Sequence, residues 1–153
     1  MELPSSSQSA PAESSRPWQI LAVTSLATFA AALDTSIMFM AFPDIGRTFS
    51  DVGRADLSWV INAYIIVFAA LLVPAGRLAD RMGRKRVFLT GVVLFTTFSA
   101  LCGAAPKPEL LIAARTFQAV GGALLFPSAL ALVLGEFPLH RRSGAVAIWS
   151  GVG

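Results

Sequence analysis

Charge is scarce in this sequence, and so are the side chains that carry most enzymatic chemistry. Only 14% of the 153 residues are Asp, Glu, Lys or Arg, where a soluble domain carries roughly a quarter. The single cysteine, Cys102, rules out an internal disulfide and a thiolate metal cluster. The single histidine, His140, lies in a short Pro- and Arg-containing loop, and a metal site needs three or four converging ligands. There is no H-E-x-x-H, no G-x-S-x-G and no Walker loop, and the closing "GVG" has nothing after it to make a nucleotide fingerprint. An enzyme is therefore not expected, nor is a metal or a cofactor.

What the sequence has is hydrocarbon in long blocks. Hydrophobic residues make up 55%, and the mean hydropathy is +0.67. The net charge of +3 does not point to nucleic acid, because the cations sit mainly in short stretches between apolar blocks rather than along one face. Blocks cover about 18–42, 57–76, 87–104 and 110–134, and another opens at 145–153. About 20 residues of helix span roughly 30 Å, the thickness of a bilayer's hydrocarbon layer. Backbone polar groups cannot stay open in lipid, so these blocks are expected to be helices. The fold class is all-α, a polytopic membrane protein with four complete spans and the start of a fifth. A cleaved secretory signal is the alternative for the first block, but that block is too long and has one arginine before it. Residues 1–17, rich in Ser and Pro, are expected to be a disordered tail.

Cations orient the spans. Arg16, the 77–86 stretch (Arg77, Arg81, Arg84, Lys85, Arg86) and the 135–144 stretch (Arg141, Arg142) are expected on the cytoplasmic side. Arg47, Arg54 and Lys107 fall on the other. The amino terminus is then cytoplasmic, and the expected location is the plasma membrane.

Three motifs go beyond hydropathy. The stretch "GRLADRMGRK", with Gly76, Asp80, Arg81, Gly83, Arg84 and Lys85, is richer than a topology signal requires. It resembles the loop 2–3 signature of the major facilitator superfamily. "LIAARTFQAVGGA" is similar to that family's helix-4 signature, with Leu111, Arg115, Gln118, Gly121 and Ala123 matching and Ala119 and Gly122 as small-for-small changes. "LDTSIMFMAFP" is similar to the helix-1 signature of drug:proton antiporters, with Phe39 standing where the family pattern has Asn. The resemblance points to the amino-terminal portion of such an antiporter, of the fourteen-helix branch, with the carboxy-terminal half as missing partner.

The resemblance implies proton-coupled efflux of amphipathic small molecules. It implies a cytoplasmic latch at the 76–85 stretch, in which Arg84 is expected to pair with Glu136 at the end of the fourth span. It also assigns proton coupling to Arg115. A carrier of another small solute, or a truncated membrane protein without transport, are the alternatives. Asp34 is the only acid inside the four spans, and an intramembrane carboxylate is by default a functional candidate; it is expected to take the transported proton, with Arg115 tuning its release, and the alternative is a structural ion pair. Its small-residue stripe Ala27, Ala30 and Ala41 is expected to pack against protein. Snorkelling to the interface is the alternative for Arg115.

Counted along ideal helices, Asp34 lies about 24 Å outward along the first span, and Arg115 about 8 Å inward along the fourth. Both fall in the outer half, and the family architecture sets these helices side by side. Met38, Asn62 and Tyr64 are candidates for a substrate cavity, with packing as the alternative for Met38.

Overall fold

A chain that must satisfy its own backbone in hydrocarbon has few options, and this one uses helices throughout. The computed structural model describes residues 15–152, and the greater part of the expected tail lies outside them. Among the described residues there are six helices and no strand: α1 Arg16–Thr48, α2 Arg54–Leu57, α3 Trp59–Met82, α4 Arg84–Gly103, α5 Pro108–Glu136 and α6 Leu139–Val152. α1, the α2–α3 stretch, α4 and α5 are long and apolar enough to cross a membrane.

The helices run further than the apolar blocks. The tail expected to Pro17 gives way to helix at Arg16, with Pro17 in the first turn where its missing N–H is harmless. α1 then continues through Pro43, held by Arg47 on Asp44 at 3.1 Å and by the Thr48 hydroxyl donating to the Asp44 carbonyl at 2.9 Å. The 77–86 stretch, expected as a loop, is helical except at one residue: α3 ends at Met82, α4 begins at Arg84, and Gly83 turns between them with φ +95°. Only glycine takes that conformation without strain. Charge marks where a helix leaves the hydrocarbon, not where it unwinds. The same holds at 135–144, where two residues separate α5 from α6.

α5 is the axis of the bundle. Half of its most apolar window is buried, against 28% in α1, 17% in α2–α3 and 22% in α4. Small residues allow this. Gly91 of α4 and Gly121 of α5 face each other so closely that a Cβ on Gly91 would stand 2.8 Å from the Leu125 nitrogen, and one on Gly121 would stand 2.5 Å from the Phe95 nitrogen. This is backbone against backbone, the approach that small residues permit between membrane helices. Around it pack Phe88, Leu125 and Ala129 on one level, and Ala31, Tyr64, Phe95 and Ala119 on another.

The buried face of α1 is polar where small apolar residues are expected. Thr24, Ser25, Thr28 and Ala31 are buried, whereas Ala30 is exposed and Ala27 and Ala41 are half-buried. The threonine hydroxyls donate to carbonyls three and four residues back, Thr24 to Ile20 at 2.8 Å and Thr28 to Ser25 at 3.0 Å. Bonded to their own helix, they can be buried without the penalty of an open polar group.

Candidate functional site

Asp34 and Arg115 meet. The two helices bring an acid and a base, 81 residues apart in sequence, into contact: Arg115 Nη1 donates to Asp34 Oδ2 at 2.5 Å. Arg115 is 1% exposed, so it does not snorkel to the interface. The same Nη1 donates to Gln118 Oε1 at 2.8 Å, one turn along α5. Gln118 Nε2 in turn donates to Asp34 Oδ1 at 2.9 Å, closing a triangle of carboxylate, guanidinium and amide.

A third helix completes the ring of donors. From α4, Ser99 Oγ donates to Asp34 Oδ1 at 3.3 Å, and Cys102 Sγ lies 3.6 Å from Gln118 Oε1. From α3, the Tyr64 ring lies under the guanidinium, with its centroid 4.4 Å from Arg115 Cζ. Arg115 Nε is buried without a hydrogen-bond partner. Ser99 and Cys102 were not legible as site residues: a serine and a cysteine in an apolar span carry no signal until the helix facing them is known.

The chemistry of the pair follows from its geometry. Oδ1 accepts from two neutral donors and Oδ2 from the cation, so three of the roughly four acceptor sites of a carboxylate are used. The arrangement puts a carboxyl and a guanidinium in direct contact within one hydrogen-bonded network, so a movement of the guanidinium would break the pair.

Beside the network lies an apolar cavity of about 560 Å³ between α1, α3, α5 and α6. Tyr64, Phe68, Phe126 and Trp149 give it aromatic walls, and no charged side chain lines it. Of the three cavity candidates, the structure brings only Tyr64 there. Asn62 is exposed and near Ser58 Oγ, at 3.5 Å, near the start of α3. Met38 is half-buried and does not line the cavity. Ala119, Gly121 and Gly122 act as spacers. Ala119 is buried against Ala31, Tyr64 and Phe95, and a Cβ on Gly122 would stand 3.0 Å from the Tyr64 hydroxyl oxygen.

At the far end of the bundle, the expected pairing of Arg84 with Glu136 is replaced by two others. Arg84 Nη2 pairs with Asp80 at 3.8 Å, while its Nη1 donates to the Ala131 carbonyl at 2.9 Å. Glu136 pairs instead with Arg16 at 3.6 Å. The reason is the long start of α1: Trp18 meets Phe137 edge to face at 5.5 Å, which sets Arg16 over the end of α5. Of the remaining 76–85 motif residues, Gly76 lies in α3 opposite Pro127 at ordinary contact distance. Arg81 and Lys85 are exposed on the flanking turns.

A bundle of membrane-spanning helices around an ion pair, with an uncharged cavity next to it, defines a multi-pass α-helical membrane protein. The chain belongs to the major facilitator superfamily, whose family model matches residues 24–153. It is 40% identical over 136 residues to the multidrug efflux pump LfrA of Mycolicibacterium smegmatis, covering 88% of this chain and 27% of that protein. It is 36% identical over 137 residues to the tetracenomycin C resistance and export protein of Streptomyces glaucescens, covering 90% and 25%. Against the methylenomycin A resistance protein of Streptomyces coelicolor the identity is 39% over 133 residues, covering 85% and 28%. The chain thus spans about a quarter of the length of these relatives. No solved structure matches it.

Proposed function

We propose that this chain is the amino-terminal portion of a proton-coupled exporter of amphipathic drug-like compounds, resident in the plasma membrane with its amino terminus in the cytoplasm. The observation that carries the reading is the Asp34–Arg115 pair, set inside the membrane-spanning bundle and separated from an uncharged cavity by one aromatic ring. The relatives are named as efflux pumps and as resistance and export proteins, which supports the substrate class.

Transport of this kind breaks no covalent bond. In the outward-facing state Asp34 accepts a proton from outside as the Arg115 guanidinium draws away from Oδ2. In the inward-facing state substrate enters the cavity from the cytoplasmic side, Arg115 returns to Oδ2, and the proton leaves inward. One proton moves in as substrate moves out, and Asp34 alternates between neutral acid and paired carboxylate. The carboxy-terminal half supplies the surface against which this half rocks. Exposed α3 residues such as Ile65, Ile66 and Val73 offer an apolar face for it.

A sugar carrier is disfavoured by the cavity walls. Their side chains offer only Thr35, Tyr64 and Trp149 as polar groups, whereas a polyhydroxyl solute requires several convergent hydrogen bonds.

The test is transport by the full-length protein in sealed vesicles, with ethidium as a flat amphipathic probe. An imposed pH gradient should drive ethidium movement, and collapsing the gradient should stop it. Movement that ignores the gradient, or none at all, overturns the reading.

A further inference from the structure

Tyr64 occupies two places at once. One part of it lines the cavity, beside Phe68, whose ring is stacked on it with centroids 6.0 Å apart. The ring also lies against the guanidinium of Arg115, which in turn contacts Asp34. No other residue both lines the cavity and contacts the guanidinium among the described contacts. Gly122 makes room for the ring, since a methyl there would stand 3.0 Å from the Tyr64 oxygen and 3.3 Å from Phe68.

We propose that Tyr64 is the positioning residue that transmits cavity occupancy to the proton site. The inference rests on the export reading and deepens it, by naming the mechanical link and the substrate chemistry. The ring's negative face holds the guanidinium by a cation–π contact, which strengthens where water is excluded. Held there, Arg115 stays in contact with Asp34 Oδ2. A flat aromatic substrate entering among Tyr64, Phe68, Phe126 and Trp149 presses the ring toward the guanidinium and excludes water from the cavity side of the ring. Both effects tighten the pair and lower the affinity of Asp34 for its proton, so substrate binding releases it. Besides Arg115, the ionisable groups near Asp34 among the described residues are Tyr64 itself and Cys102 of α4. The ionisable residues of α6, His140, Arg141 and Arg142, lie in its first turn near Trp18 and Phe137.

The experiment is infrared difference titration of the protonated Asp34 carboxyl in the purified full-length protein. The band is assigned by its loss in Asp34→Asn, and titrations are run with and without ethidium. Wild type should show a protonation midpoint that ethidium lowers. Tyr64→Leu should bind the proton about tenfold more tightly, and ethidium should no longer shift it. Tyr64→Phe keeps the ring and should behave as wild type. A graded series of fluorinated phenylalanines at Tyr64 preserves shape while draining the ring face of charge; the midpoint should rise with each fluorine.

A flat series, or Tyr64→Leu titrating like wild type, overturns the proposal. So does Tyr64→Phe behaving like Tyr64→Leu, because the hydroxyl and not the ring would then be responsible. Failure of wild type to export ethidium under a pH gradient brings down the export reading alone. The ethidium-free titrations still decide whether the ring governs Asp34.

Discussion

Two of the acid–base pairs, Arg115–Asp34 and Arg84–Asp80, lie at different levels of the bundle and differ in almost everything but charge. Arg115 and Asp34 are in contact at 2.5 Å with side chains 2% and 18% exposed. Arg84 and Asp80 stand 3.8 Å apart with side chains 45% and 68% exposed. Removing one partner of a buried pair leaves an uncompensated charge and costs about 3–5 kcal/mol. An exposed pair is worth about 0–1 kcal/mol. The buried pair is therefore much the costlier of the two to break. The exposed pair contributes little as a bond; what Arg84 adds is its second contact, on the carbonyl of Ala131 near the end of α5. There it ties the α3–α4 turn to the central helix.

The largest expected effect breaks this contrast directly. Asp34→Ala should destabilise the protein by about 3–5 kcal/mol by stranding Arg115, while Asp80→Ala should stay within about 1 kcal/mol. Thermal unfolding of both variants in the same detergent checks it. Equal losses would mean that burial does not separate the two pairs.

Next comes the frame that holds the buried pair. Gly121→Ala inserts a methyl 2.5 Å from the Phe95 nitrogen, and backbone cannot step aside as a side chain can. We expect about 1–3 kcal/mol of destabilisation, with crosslinking between α4 and α5 weakened. Gly103→Ala, which meets nothing within 4 Å, is the control and should be silent in both measurements.

A smaller effect sharpens the role of the exposed pair. Asp80→Asn in the full-length protein should insert normally yet transport more slowly, through loss of an anion that the other half uses as well as Arg84. Full transport by Asp80→Asn would leave the pair a surface feature. The smallest perturbation tests orientation only: a cysteine at Lys107 should react with an impermeant maleimide in intact cells. Labelling only after the membrane is opened would reverse the topology.

How much of this was legible in the sequence depends on the physics involved. Apolar length locates the spans because the bilayer acts on every residue of a block independently. Their ends are not legible in the same way: Arg77 and Arg81 read as loop but prolong α3, since a helix leaving lipid keeps its backbone bonds. The meeting of Asp34 and Arg115 was legible from depth, which counting along a straight helix gives reliably over a few turns, together with the family resemblance, which sets the first and fourth spans side by side. What depth cannot supply is the neighbour across an interface. Gly91 and Ser99 gain their meaning only when α4 is laid against α5 and α1. The polar stripe of Thr24 and Thr28 was invisible because their hydroxyls are satisfied within α1 itself. Glu136 meets Arg16 rather than Arg84 because the helical start of α1 lies in Ser- and Pro-rich sequence that carries the composition of a tail.

The central claim is that the buried pair exchanges a proton for the substrate's entry. It is met most directly by measuring proton release from the purified full-length protein in weak buffer when ethidium is added. Wild type should release protons in proportion to ethidium bound, whereas Asp34→Asn should bind ethidium and release none. Equal proton release from Asp34→Asn would contradict the claim and place the coupling acid elsewhere in the protein.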